Sequence, residues 1–418
     1  MHKIFGLALV GFFCINAFAQ NPSQEDLPRD FDIDGVRTFL AHQQNPETKI
    51  LESFINTTDE MLSNQASTYD QALAGLGFLE LGDQNRAKGV LSFFKAKWSD
   101  LGLCNFYNTE NGSCGIEETV HLGPNMWIAS LALQYGQKTG DARFNNLAKK
   151  IAFWSIELNH NNGGISMGPV ADWGGDWPNV YSSENNIVAY AVFRALYNHE
   201  NNQTYREIYS QQMQGIINFI NEVTLQRSTD GKIINVSVGY NPEEGISSIS
   251  SCDVVTMLLL VFNPQELQQF FSIDESDLLE FAKDNFFICV DGICGYDFTN
   301  ESSTILIGRQ RMISLEWTAQ MAQAEIAVAQ FYQINSPHEE RATDYFKESD
   351  QLLSEIDKTI INYQEMCFYP YATKDAEQPF TFAPWWKTPQ GDPEFCGALS
   401  STLWRLFAYK EFNPLDLR

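Results

Sequence analysis

The sequence has 418 residues, of which 44% are hydrophobic and 13% aromatic, so it can bury a large core and is not a disordered chain. Its 53 acidic residues against 27 basic ones give a formal charge of −26, which argues against nucleic acid and anionic membrane surfaces as partners. The same excess disfavours uronate polymers as substrates and leaves neutral or cationic ligands open.

Residues 1–19 read as a cleavable secretory signal. His2 and Lys3 form a positive start, Ile4 to Ile15 an apolar core, and Ala17-Phe18-Ala19 a small-residue cleavage site. The apolar run is too short to span a bilayer. The expectation is therefore an exported protein, periplasmic or extracellular, with no membrane insertion once the signal is removed.

Cys14 leaves with that signal. Export makes disulfides natural among the remaining cysteines. Cys104 and Cys114, Cys289 and Cys294, and Cys367 and Cys396 each flank a loop and are the expected pairs, with Cys252 left over. None has zinc-site spacing with a second pair, and no metal or cofactor is expected.

Residues 20–47 are polar and rich in proline, and are read as an extended N-terminal segment. A first amphipathic helix is expected over 48–65. Thr68-Tyr69-Asp70-Gln71 matches a capping box and opens a helix over 69–81. Gly82-Asp83 then turns into 84–98. Pro124 suits a first helical position and starts a largely apolar helix over 124–138, followed by a more amphipathic one over 142–158. Helices follow at 183–198 and 203–226, 251–262 and 275–286, 313–334 and 338–363, with a last apolar one at 397–410.

These helices alternate between apolar on all sides and amphipathic. The former belong inside and the latter outside. About twelve helices in two alternating sets make an all-α fold, an (α/α)6 toroid with inner and outer rings, forming one domain over 48–418. Connections from inner to outer helices are short. Those from outer to inner helices are long (99–123, 159–181, 227–249, 287–311 and 364–396) and would emerge together on one face. Long loops in a compact domain are usually functional.

These loops are rich in rings. Flat aromatic faces suit sugar rings, which makes Trp173, Trp177, Tyr181, Trp385 and Trp386 candidate substrate-binding residues, with Trp127 on an inner helix and His121 just before it. The competing reading is that such rings pack under their own loops. Carboxylates recur at the inner-helix starts, namely Asp70, Glu184, Asp253 and Glu316. Glycoside hydrolysis needs one protonated and one ionised carboxyl. Helix N-termini favour the ionised form, which suits Asp70 and Asp253 as base. Glu184, behind a Trp-rich loop, is the first choice as acid and Glu316 the second. Acidic residues also favour any first helical turn, so each alone has a structural explanation; their recurrence on inner helices lifts the set. Arg309 and Arg311, just before helix 313–334, are expected to pair with this acidic cluster rather than to grip a substrate carboxylate.

The segments Tyr69-Asp70-Gln71-Ala72-Leu73-Ala74, Gly123-Pro124-Asn125-Met126-Trp127-Ile128-Ala129, Tyr181-Ser182-Ser183-Glu184-Asn185-Asn186, Leu315-Glu316-Trp317-Thr318-Ala319-Gln320 and Ser401-Thr402-Leu403-Trp404 carry a further signal. With them, residues 48–412 resemble the six-hairpin (α/α)6-toroid glycosidase-like superfamily. That resemblance implies a carbohydrate-active enzyme acting on an oligo- or polysaccharide, with a hydrolase first. Because the superfamily also holds epimerases, lyases and phosphorylases, fold alone does not fix the reaction. A non-catalytic glycan-binding protein and a polysaccharide lyase are the alternatives.

Overall fold

A computed structural model of the chain describes residues 31–57, 60–116, 119–169, 177–306, 308–335, 339–373 and 396–418. The expected signal, Trp173, Trp385 and Trp386 lie outside the described residues.

Six helices stand side by side in a closed ring: α2 (Thr68–Glu80), α4 (Leu122–Thr139), α6 (Ser183–His199), α8 (Cys252–Val261), α12 (Leu315–Asn335) and α14 (Leu399–Tyr409). Each packs on the next, and α14 packs back on α2. Their sequences explain the position. In α2, every residue from Ala72 to Leu79 is buried, and α8 is buried along its whole length. A helix without a polar face can be stable only when enclosed.

The outer ring consists of α1 (Ile33–Gln43), α3 (Gln84–Lys97), α5 (Asn145–Ile156), α7 (Gln203–Phe219), α10 (Glu275–Phe286) and α13 (Glu339–Asp357), all packed against the inner ring. The short helices α9 (Pro264–Phe271) and α11 (Glu301–Leu306) lie in connections. The expected (α/α)6 toroid is thus the observed fold.

One outer helix differs from expectation. The described residues of 48–65 are not helical; they hold turns and the short strand Phe54–Ile55. The sixth outer helix is instead α1, from the segment read as extended, capped by Asp32 and burying Val36, Phe39 and Leu40. Ring closure is therefore made by a helix that precedes the first inner one. No helix among the described residues is long and apolar enough to cross a membrane.

The long loops end at the N-termini of the inner helices and are stitched to one another in a circle. Gln65–Ser67 pairs with Phe106–Asn108, Tyr181–Ser182 with Gly239–Asn241, and Phe54–Ile55 with Gly397–Ala398. Single bridges join Ser251 to Thr299 and Ser314 to Ala372, and Leu122 N donates to Met167 O at 2.7 Å. Every consecutive pair of loops is tied, so the rim is a continuous frame.

A repeated clamp holds these loops down. Gln71 closes two hydrogen bonds on the backbone of Leu51 (2.7 and 2.8 Å), Asn125 on Leu103 (2.9 and 3.1 Å) and Asn186 on Ile165 (2.8 and 2.9 Å). In each case the amide reaches back 20–22 positions. Thr318 and Thr402 each hold a loop by one bond, accepting from Tyr296 N and Tyr369 N, 22 and 33 positions back. The expected capping box at Thr68–Gln71 is therefore not formed: Thr68 donates to Cys104 O, and Gln71 serves the loop.

Disulfides join Cys104 to Cys114 and Cys289 to Cys294, with Cα–Cα distances of 5.9 and 4.1 Å. The third expected pair is not bridged. Cys367 and Cys396 are both buried, and burial pushes the Cys367 thiol up to about 12.

Candidate active site

The clamps fix where the carboxylates stand. Glu184 and Glu316 each precede their clamping residue by two positions, so both leave the first helical turn on the same side. Tyr69 has that relation to Gln71, and Gly123 to Asn125. At Gly123 a Cβ would meet Asn185 Oδ1 at 2.2 Å, so the side-chain-free position admits the neighbouring inner helix.

Of the four predicted carboxylates, Asp70, Asp253 and Glu316 are buried and Glu184 is half-buried, and all come together electrostatically. Glu184 lies within reach of Asp253 and Glu316, Glu316 within reach of Asp253, and Asp70 within reach of Glu316. Tyr371 feels the charges of all four. This tyrosine was legible only as one ring in a long loop; nothing in its sequence neighbourhood distinguishes it.

Burial raises every one of these groups, because a carboxylate without water loses its solvation. The extent differs with the partners. Asp253 is held lowest, at about 6, because Ser251 Oγ donates to it and Val254 N donates to Oδ1 at 2.8 Å. Glu316 reaches about 7, with burial offset by hydrogen bonds from Tyr69 and Ser400. Asp70 is pushed up to about 8 despite a bond from Ser53. Glu184 is pushed well above the carboxylate range by burial, then by the charges of Asp253 and Glu316. Among the described residues, no hydrogen bond to its carboxyl offsets these effects. The expected ionised state of Asp70, inferred from its place in a first turn, is overridden by desolvation.

Glu316 is set in a network that the sequence did not reveal. Tyr69 Oη donates to its Oε1 at 2.8 Å and itself accepts from Trp404 Nε1 at 2.7 Å. Gln320 Nε2 contacts both, at 3.2 and 3.3 Å. Trp127 stands edge-on to Tyr69 and to Trp404, at 5.4 and 6.1 Å between centroids.

His121 precedes α4 directly. Asn105 Oδ1 accepts from His121 N at 3.1 Å, which turns the Asn105 amide nitrogen onto His121 Nδ1 at 2.7 Å. The ring therefore accepts at Nδ1 and carries its proton on Nε2. Burial lowers its basicity to about 3, so it is neutral. Among the described residues, His121 Nε2, Trp177 Nε1, Trp127 Nε1 and Asn185 Nδ2 are buried without a hydrogen-bond partner. Trp177 lies 4.6 Å from His121, ring to ring. These unmatched donors occur on the first turns or loops of neighbouring inner helices.

The other predicted ring is placed elsewhere. Tyr181 packs with Phe219 and Val223 against Tyr240, in a small core beneath its own loop. Arg309 and Arg311 pair at 2.5 and 3.1 Å with Asp297, a residue of their own loop, and not with the four inner-helix carboxylates as expected. Among the described residues, no cluster of three or more His, Cys, Asp or Glu is arranged to hold a metal ion.

Among solved structures, the chain is similar to an α-amylase from Clostridium perfringens, at 9% identity and a TM-score of 0.61, over 92% of this chain and 100% of that one. It is similar to a sugar epimerase from a ruminal bacterium at 12% identity and a TM-score of 0.61, over 90% and 96%. It also resembles the cellobiose 2-epimerase of Spirochaeta thermophila, at 12% identity and a TM-score of 0.60, over 92% and 94%. No family model matches the chain, and no curated protein matches it by sequence. At these identities the likeness is one of fold.

Proposed function

From its fold, which is that of the six-hairpin glycosidase-like superfamily, we propose that this chain is an exported glycoside hydrolase acting on a neutral oligo- or polysaccharide. One observation carries the reading: the half-buried Glu184 is raised well above the carboxylate range within electrostatic reach of Asp253, which is held lowest of the four, at about 6. Two adjacent carboxyls with separated pKa values supply the acid and base that glycoside hydrolysis needs.

In this mechanism Glu184 donates its proton to the leaving glycosidic oxygen. Asp253, ionised, draws a proton from the attacking water. Glu316 stays oriented by Tyr69, Gln320 and Ser400 and supports the charge that develops on the sugar ring. Asp70, protonated at neutral pH, hydrogen-bonds within the wall. The unmatched donors of His121, Trp127, Trp177 and Asn185 take sugar hydroxyls, which accept readily from N–H groups. Their indole and imidazole faces give the apolar side of the sugar ring a surface.

Incubation of the mature protein with a panel of neutral polysaccharides, followed by product analysis, tests the proposal. New reducing ends that disappear in Glu184→Gln support it. Glycan binding without product would leave the chain a binding protein, and unsaturated, ultraviolet-absorbing products would make it a lyase.

The similarity to epimerases favours a second reading, in which the same pocket converts one sugar to its epimer. An epimer formed without new reducing ends would identify it.

A further inference from the structure

Nine positions after Glu316, α12 turns its opposite side to the outer ring, and Glu325 stands there. It is 2% exposed, and its Oε2 has no hydrogen-bond partner. Leaving a buried carboxyl oxygen without a partner is costly, and nothing in the catalytic cluster requires this one. Glu325 lines a cavity of about 720 Å³ between the outer helices α10 and α13 and the hairpin Phe287–Tyr296.

The cavity is a built feature. The Cys289–Cys294 bridge closes the hairpin. Glu355 Oε2 accepts from Cys294 N at 2.8 Å, tying it to α13, and Thr318 Oγ1 accepts from Tyr296 N at 2.9 Å, tying it to α12. Leu279, Phe287 and Leu352 give it apolar walls. Its acidic side chains outnumber its lysines, which excludes an anion.

We propose that this cavity binds an aliphatic amine, with Glu325 as the buried counter-ion of the ammonium group. The apolar walls suit a methylene stem and the acids suit its charged end, as in a diamine or polyamine. A site of this kind is distinct from the sugar-processing face, and the proposal does not rest on the reaction catalysed there.

Proton linkage gives the site a signature. Burial, then the charge of Glu348, pushes the Glu325 carboxyl well up, and Lys283 opposes them only in part. Helix α10 also presents Glu280, and the hairpin presents Tyr296. From α13 come Tyr345, Lys347, Asp350 and Glu355. An entering ammonium stabilises the ionised carboxyl, so Glu325 gives its proton to solvent as the ion pair forms. Affinity therefore rises with pH until the amine itself deprotonates.

Titration calorimetry with butylamine, putrescine and spermidine, in two buffers of different ionisation enthalpy and with butanol as control, tests this. Saturable binding of amines with proton release, absent for butanol and weakened at least tenfold in Glu325→Gln, is the expected result. Glu348→Gln, on the outer helix, should weaken binding severalfold and serves if Glu325→Gln does not fold. The proposal is overturned if no amine binds saturably, if butanol binds equally, or if folded variants bind as the parent does.

Discussion

Tyr69 Oη donates to Glu316 Oε1 at 2.8 Å although 247 positions separate the two residues. The bond joins the first inner helix to the fifth and holds Glu316 below the pKa that burial alone would give.

Tyr69→Phe removes that donor and leaves Trp404 Nε1 without its acceptor. The buried indole N–H then costs about 1–3 kcal/mol, which denaturant unfolding will show. The Glu316 carboxyl should also titrate above its present value of about 7, and this shift should appear in the pH profile of turnover. A loss of stability with an unmoved profile would leave Tyr69 a packing residue only.

Glu184→Gln separates catalysis from folding. Loss of a general acid typically lowers turnover about 10²–10⁴-fold. The amide is isosteric and removes a carboxyl crowded by Asp253 and Glu316, so the melting temperature should hold or rise. Near-parental turnover would remove Glu184 from the acid role.

The pH dependence of stability has a defined sign. Asp70 titrates at about 8 when folded, against an ordinary value of 3.8. The folded state therefore binds this proton more tightly, and its contribution is full below the ordinary value and lost as pH rises through about 8. His121 acts on the other side. Its folded value of about 3 lies below the ordinary 6.5, so stability falls as pH drops from 6.5 toward 3. Asp70→Asn should flatten the alkaline limb of a melting-temperature profile and leave the acidic limb in place.

Activity should follow the same groups in a bell. The rising limb near pH 6 reports ionisation of Asp253. The falling limb, higher, reports loss of the proton from Glu184. Because the carboxyls interact, the two limbs belong to the cluster rather than to single residues. Asp253→Asn should abolish the rising limb together with turnover.

Asn186→Ala tests the loop clamps. It strips two partners from the buried backbone of Ile165, an expected cost of about 2–6 kcal/mol at about 1–3 per unmatched group. Hydrogen exchange should accelerate at Ile165 and its neighbours before the inner helices respond. Uniform acceleration would mean that the clamp has no local role.

By itself the sequence determined the two rings, because a helix apolar on all sides can be stable only inside and an amphipathic one only outside. It also located the long loops and the four recurring carboxylates. It misplaced the sixth outer helix. Ile33–Gln43 has a short apolar stripe whose partners, in α14 and around Cys367, come from the far end of the chain. The tertiary structure alone decided the protonation of the carboxyls. First-turn position predicted an ionised Asp70, whereas enclosure by neighbouring helices removes the water that ionisation needs. It also decided the bond of Tyr69 to Glu316, since ring closure, and no local pattern, brings the first and fifth inner helices within reach of one hydroxyl.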